Sequence, residues 1–270
     1  MGNDYWNVHG DFATTSPKAI VKRFWLDDEL NRQRSAETFQ VETGLVDDGL
    51  ELYLEAIQGA FRENPDLDGD QRLRASVAML IYALNTFLAW RHLVEYGYLA
   101  EGRLFSRNIH ESLTQALAFA NDETLAKKFY EGRQISARDI QKNLSSLLAN
   151  ENIDGKEVFN QFNKGYQRLG ARSHPTLASF ALRTFAQEFG TAGLGEAVPE
   201  KVAIGGFLQD DLGRVFWLGF ARDVGGALRV VGQIRKDSSG GWATRAKEFQ
   251  DRVAKVVQED EIWLDKRFPK

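Results

Sequence analysis

The sequence predicts a mainly α-helical bundle built around a long antiparallel helical hairpin. Three observations point there. Apolar residues recur at helical spacing along most of the chain, proline is scarce at 5 of 270 residues, and helix-stopping signals are far apart. The hydrophobic share of 43% and the charged share of 27% supply a sizeable core with an ordinary polar surface.

Composition also excludes some function classes. The net charge of −4 is not that of a protein that wraps nucleic acid over its whole surface, although a local basic patch remains compatible with it. With no cysteine, disulfides, thiolate metal sites and cysteine nucleophiles are ruled out, and a reducing, cytoplasmic setting fits. Residues Met1 to Asp11 are polar and lack an apolar signal region. The stretch Ala75 to Trp90 looks apolar but falls short of the roughly 20 residues a membrane span needs. It reads as a buried core helix, and no membrane association is expected.

Residues 1–40 carry few periodic apolar positions and read as an N-terminal arm. The cluster Phe24, Trp25 and Leu26 is expected to pack the arm onto the body; the sharper alternative is a docking segment for a protein partner. Residues 41–190 form the main helical domain. Leu45 to Phe61 has helical periodicity and stops at Asn64-Pro65. A long helix follows from Asp70 to Tyr98, with a break near Gly97 and Gly102, then a partner helix over Arg103 to Ala120. Asp122 caps a short helix to Tyr130, and Ser136 caps another to Asn150. Further helices are expected over Asp154 to Leu169 and from Pro175 to Gly190.

Residues 191–270 read as a C-terminal helical segment packing on the bundle. Phe207 to Ile234 is apolar and aromatic but interrupted by Gly213, Gly219, Gly225 and Gly226. Glycine disfavours a helix interior by about 1 kcal/mol relative to alanine. Either this helix packs very closely on another element, or part of it is a small β or irregular element near 225–241. Its aromatic residues belong to the core or, alternatively, to a dimer interface. A last amphipathic helix covers Trp242 to Val257.

Two constellations could carry chemistry. Arg103, Arg107, His110 and Thr114 fall on one helical stripe, and Glu111 is placed to pair with Arg107. This is a solvated face with a structural ion pair, or the floor of an anion pocket. The second is Arg168, Arg172 and His174, with Gly170 bending the chain and Pro175 opening a helix. Arginine neutralises a phosphodiester, and histidine moves protons near neutral pH. The plain alternative is a helix-turn-helix corner with a capping histidine. None of His9, His92, His110 and His174 pairs at the i,i+4 spacing of a helical zinc site, and there is no G-x-S-x-G elbow. Gly190, Gly193 and Gly195 follow no clear strand, so they make a poor phosphate loop. No metal or cofactor is expected.

Together the two constellations resemble the HEPN-like superfamily over residues 70–190. The R-x-x-x-E pattern is matched by Arg107 and Glu111, and the arginine–histidine–proline pattern by Arg168, His174 and Pro175. The resemblance implies metal-independent RNA cleavage with the ribose 2′-hydroxyl as nucleophile, in a toxin or phage-defence setting. His174 would be general acid or base and Arg168 would stabilise the charge of the reacting phosphate. Arg103, Arg107, His110, Glu111 and Arg172 would line the substrate site. It further implies RNA as a partner and a homodimer that joins two copies of the motif. The competing expectation is a non-catalytic scaffold or protein–protein interaction module with the same fold.

Overall fold

A computed structural model describes residues 6–7, 15–63, 69–150, 201–202, 210–234 and 241–267. Eight helices run through these residues. They are α1 (Pro17–Thr38), α2 (Gln40–Glu63), α3 (Gln71–Glu95), α4 (Leu99–Asn121), α5 (Glu123–Tyr130), α6 (Ala137–Asn150), α7 (Asp210–Ile234) and α8 (Trp242–Arg267). A two-residue antiparallel pairing joins Trp6–Asn7 to Lys201–Val202. The fold is the expected mainly α bundle. The expected helices over Asp154 to Leu169 and Pro175 to Gly190 lie outside the described residues.

The hairpin is α3 and α4. Asp70 caps α3 by accepting from the backbone N–H groups of Arg72 and Leu73. The helix ends at Glu95, and Gly97 takes a left-handed φ of 82° to reverse the chain. The expected break near Gly97 and Gly102 falls at Gly97, and Gly102 lies within α4. The Ser76 hydroxyl donates to the Ala116 carbonyl at 2.8 Å. These two residues are equally far from Tyr96, so the helices run antiparallel about the turn. Asp122 and Ser136 cap the following helices as their residue types suggest.

One core joins the hairpin to α2, α7 and α8. Its centre is a ring stack: Phe220 of α7 lies parallel to Trp90 at 4.6 Å, to Phe87 at 5.7 Å and to Trp217 at 6.1 Å. The apolar face of α3 is spent there, through Val77, Leu80, Phe87, Trp90 and Val94. By length and composition α3 could cross a membrane, yet it packs against α2, α4 and α7. The Tyr53 hydroxyl donates to the Leu80 carbonyl, and the Trp242 indole donates to the Leu52 carbonyl at 2.9 Å. Burial raises the Tyr53 phenol, which therefore stays protonated as a donor. Among the described residues, the buried indole N–H groups of Trp90 and Trp217 meet no acceptor.

The C-terminal alternatives resolve to helix. Residues 225–234 belong to α7, whereas 235–240 lie outside the described residues. Its glycines are tolerated partly because α8 lies against them: Gly225 faces Phe249 and Gly232 faces the Trp242 ring. The aromatic residues Trp217 and Phe220 are core.

The N-terminal arm needs correction. Residues 17–38 form a 22-residue helix, and Trp25 and Leu26 do not pack it down but face solvent. Among the described side chains of α1, those that are buried are polar. Asp28 is buried and accepts from the Tyr98 hydroxyl at 2.9 Å, and Ser35 is buried as well. Helical geometry places Asp28 and Ser35 on one side, which turns Leu26 to the other.

Gly49 of α2 is tightly enclosed. A Cβ there would come 2.5 Å from Phe249 and 2.8 Å from Val224. Gly44, five residues earlier, has nothing within 4 Å. Gly49→Ala should destabilise the chain by about 1–3 kcal/mol through overpacking, whereas Gly44→Ala should stabilise it by up to about 1 kcal/mol through helix propensity. Urea unfolding of both variants checks this, and equal effects would show that the approach at Gly49 is not tight.

Candidate functional site

The site residues that the structure describes lie on α4. Leu113, Ile109 and Ala116 bury one face of this helix against the core. At 100° per residue, Arg107, Glu111 and Thr114 lie toward the opposite side, and His110 lies on the flank beside the buried face. Arg107 and Glu111 form the expected i,i+4 ion pair, with Nε donating to the carboxylate at 2.9 Å. Both are partly exposed, so the pair contributes only a few tenths of a kcal/mol to helix stability.

His110 sits between them in sequence and is more enclosed. Its ring is mostly buried, and burial pulls the imidazole below its ordinary value; the Glu111 carboxylate opposes this as the smaller effect. The neutral ring is favoured. The Thr114 hydroxyl donates to the His110 carbonyl at 2.6 Å, which leaves the imidazole's chemistry to the ring nitrogens.

The structure brings Arg107, His110 and Glu111 together because one helix carries all three. Arg103 lies on α4 one turn earlier. Arg168, Arg172 and His174 lie outside the described residues, so their placement against α4 is not part of the geometry above. Among the described residues there is no group of three or more His, Asp or Glu side chains placed to hold a metal.

Two polar links to α7 and α2 were missed by the sequence reading. The Ser106 hydroxyl donates to Asp223 of α7 at 2.7 Å, one residue before Arg107. Arg214 of α7 meets the buried Glu42 of α2 at 3.1 Å. The signal for the first was legible: Asp223 is the lone acid between Arg214 and Ile234. An isolated carboxylate on an apolar helix calls for a partner. What could not be read is which helix supplies it.

The His110 shift sets a pH dependence. Its folded-state value lies below its unfolded one, so the unfolded chain binds this proton more readily. The associated stability is complete above about pH 6.5 and declines as pH falls below it. His110→Gln should therefore lose less stability than the wild type between about pH 7.5 and 5.5. Urea unfolding at both pH values measures the difference, and identical losses would show that this imidazole titrates alike in both states.

Comparison with known proteins adds no relative: no family model, no curated protein and no solved structure matches the chain.

Proposed function

We propose that the chain is a HEPN-like helical protein that binds RNA and cleaves it without a metal. His174 acts as general acid–base, Arg168 neutralises the reacting phosphate, and α4 forms part of the substrate site. The observation that carries this reading is the state of α4. Its R-x-x-x-E pattern is formed as a partly exposed ion pair, with the mostly buried ring of His110, which burial favours in its neutral form, beside it. Arginines at such a place suit a phosphodiester, and the acidic member of the motif orients the guanidinium.

The chemistry follows from those groups. The ribose 2′-hydroxyl attacks the adjacent phosphorus while a neutral imidazole takes its proton. The leaving 5′-oxygen takes a proton in turn, and a guanidinium offsets the charge that gathers on the phosphorane-like state. Arg103, Arg107 and Arg172 hold neighbouring phosphates.

A second reading, a non-catalytic scaffold with the same fold, is favoured by one observation. The Arg107–Glu111 pair satisfies both charges within α4.

A single assay separates the two. Short single-stranded RNA is incubated with the full chain in chelator, and both binding and cleavage are followed. Wild type should cut, and His174→Ala and Arg168→Ala should each lose at least about 100-fold in rate while retaining binding. Equal cleavage by wild type and His174→Ala, or no binding and no cleavage by the wild type, would overturn the proposal. Binding without cleavage would leave an RNA-binding scaffold.

A further inference from the structure

Helix α4 meets α7 through more than apolar side chains. The Ser106 hydroxyl donates to the Asp223 carboxylate at 2.7 Å, and both residues are half-buried. A carboxylate taken partly out of water is costly unless a donor meets it. The place of Asp223 is set by the core. It lies about one turn from Phe220, whose ring stacks on Trp90, Phe87 and Trp217.

On α4, Ser106 immediately precedes Arg107 and lies about one turn before His110. Counted around the helix, Ser106 and His110 share one flank, between the buried face of Ile109 and Leu113 and the Arg107–Glu111 pair. The charged groups on or bordering this flank are Arg103, Arg107 and Glu111 of α4 and Asp223 of α7. Apolar packing tolerates small rotations of a helix, whereas a short hydroxyl–carboxylate bond is directional. The bond to Asp223 therefore sets which way α4 turns its polar stripe. The enclosure of the His110 ring depends on the same rotation.

We propose that Ser106 and Asp223 are positioning residues, whose hydrogen bond locks the rotation of α4 against α7 and so holds Arg107 and His110 toward substrate. This role rests on the α4 stripe being part of the substrate site proposed above. It adds to that site a residue of α7, outside the stretch that resembles the HEPN-like superfamily. Neither residue touches substrate; both act through α4. Small misplacements of groups that bind or orient a substrate cost far more than their size suggests, which is why such groups are held by directional bonds.

The direction of the effect separates position from charge. A carboxylate beside arginines opposes a polyanion, so on charge alone its removal would strengthen RNA binding. Its removal would also lower the His110 value, since a nearby negative charge favours the imidazolium. Loss of the clamp does the reverse of both. The stripe turns, RNA is held less well, and the better-hydrated ring takes up its proton more readily.

Two measurements on the full chain test it: an NMR titration of His110, whose signal is identified by His110→Gln, and binding of short single-stranded RNA. Asp223→Ala and Ser106→Ala should each weaken RNA binding by at least about tenfold, and each should move the His110 midpoint up toward that of a free imidazole. Asp223→Asn keeps an acceptor for Ser106. It should hold RNA within about twofold of wild type and leave the His110 midpoint low. Circular dichroism shows that each variant is folded, and Ser106→Ala carries the test if Asp223→Ala is not. A wild type that binds no RNA would overturn the substrate reading and the positioning role with it. RNA binding by wild type that neither alanine variant weakens, or a His110 midpoint that both leave in place, would overturn the positioning role alone. So would tighter RNA binding by Asp223→Ala, the outcome of charge without position.

Discussion

The bundle depends on one aromatic contact, the stacking of Phe220 on the rings of α3. Phe220 lies parallel to Trp90 and Phe87 on one helix and to Trp217 on its own. Each such ring pair adds about 0.5–1.5 kcal/mol to the burial of its surface. The consequence is topological. The α3–α4 hairpin is a local structure closed by Gly97, whereas α7 and α8 come from far along the chain. The stack is where the two meet, and α2 closes over it through Tyr53, whose ring sits edge-on to Phe87. Once α3 has spent its apolar face there, α4 presents its own inner side to the same core, and its polar stripe is left half-buried at the edge of that contact.

That placement gives the candidate site its character. A charged stripe directed into the core would need every charge compensated. At the edge of the core, Arg107 and Glu111 pair in partial solvent at little cost, while the neighbouring His110 is enclosed enough to lose its proton readily. The link from Ser106 to Asp223 ties the same helix to α7 beside the stripe. Ionic contacts elsewhere serve assembly: Arg91 bridges α3 to Asp47 of α2, and Arg245 and Arg252 of α8 reach Glu55 and Asp48 of α2. The last two are largely exposed and position α8 more than they stabilise it.

Helix α1 follows a different logic from the rest. Every other long helix buries apolar residues, whereas α1 meets the body through a tyrosine–aspartate hydrogen bond and leaves Trp25, Leu26 and Leu30 exposed. A sequence reading assigns Phe24, Trp25 and Leu26 to packing because apolar clusters usually bury. Here the inward positions are decided by what α3 and the Tyr98 turn offer, which is a hydroxyl, and the helix rotates to bring Asp28 to it.

What the sequence determined by itself is local. Caps at Asp70, Asp122 and Ser136, the reversal at Gly97 and the i,i+4 pair Arg107–Glu111 all depend on residues within a few positions of each other, where backbone geometry alone sets the partners. What only the tertiary structure decided is everything that needs two distant segments. The glycines of α7 could have meant a strand; they remain helical in the company of α8, whose Phe249 and Trp242 approach where side chains are missing. Asp223 announced that it needed a partner without naming Ser106. The outward turn of Trp25 could not be read either, because the side of a helix that is buried is fixed by its neighbours, and those neighbours are tens of residues away.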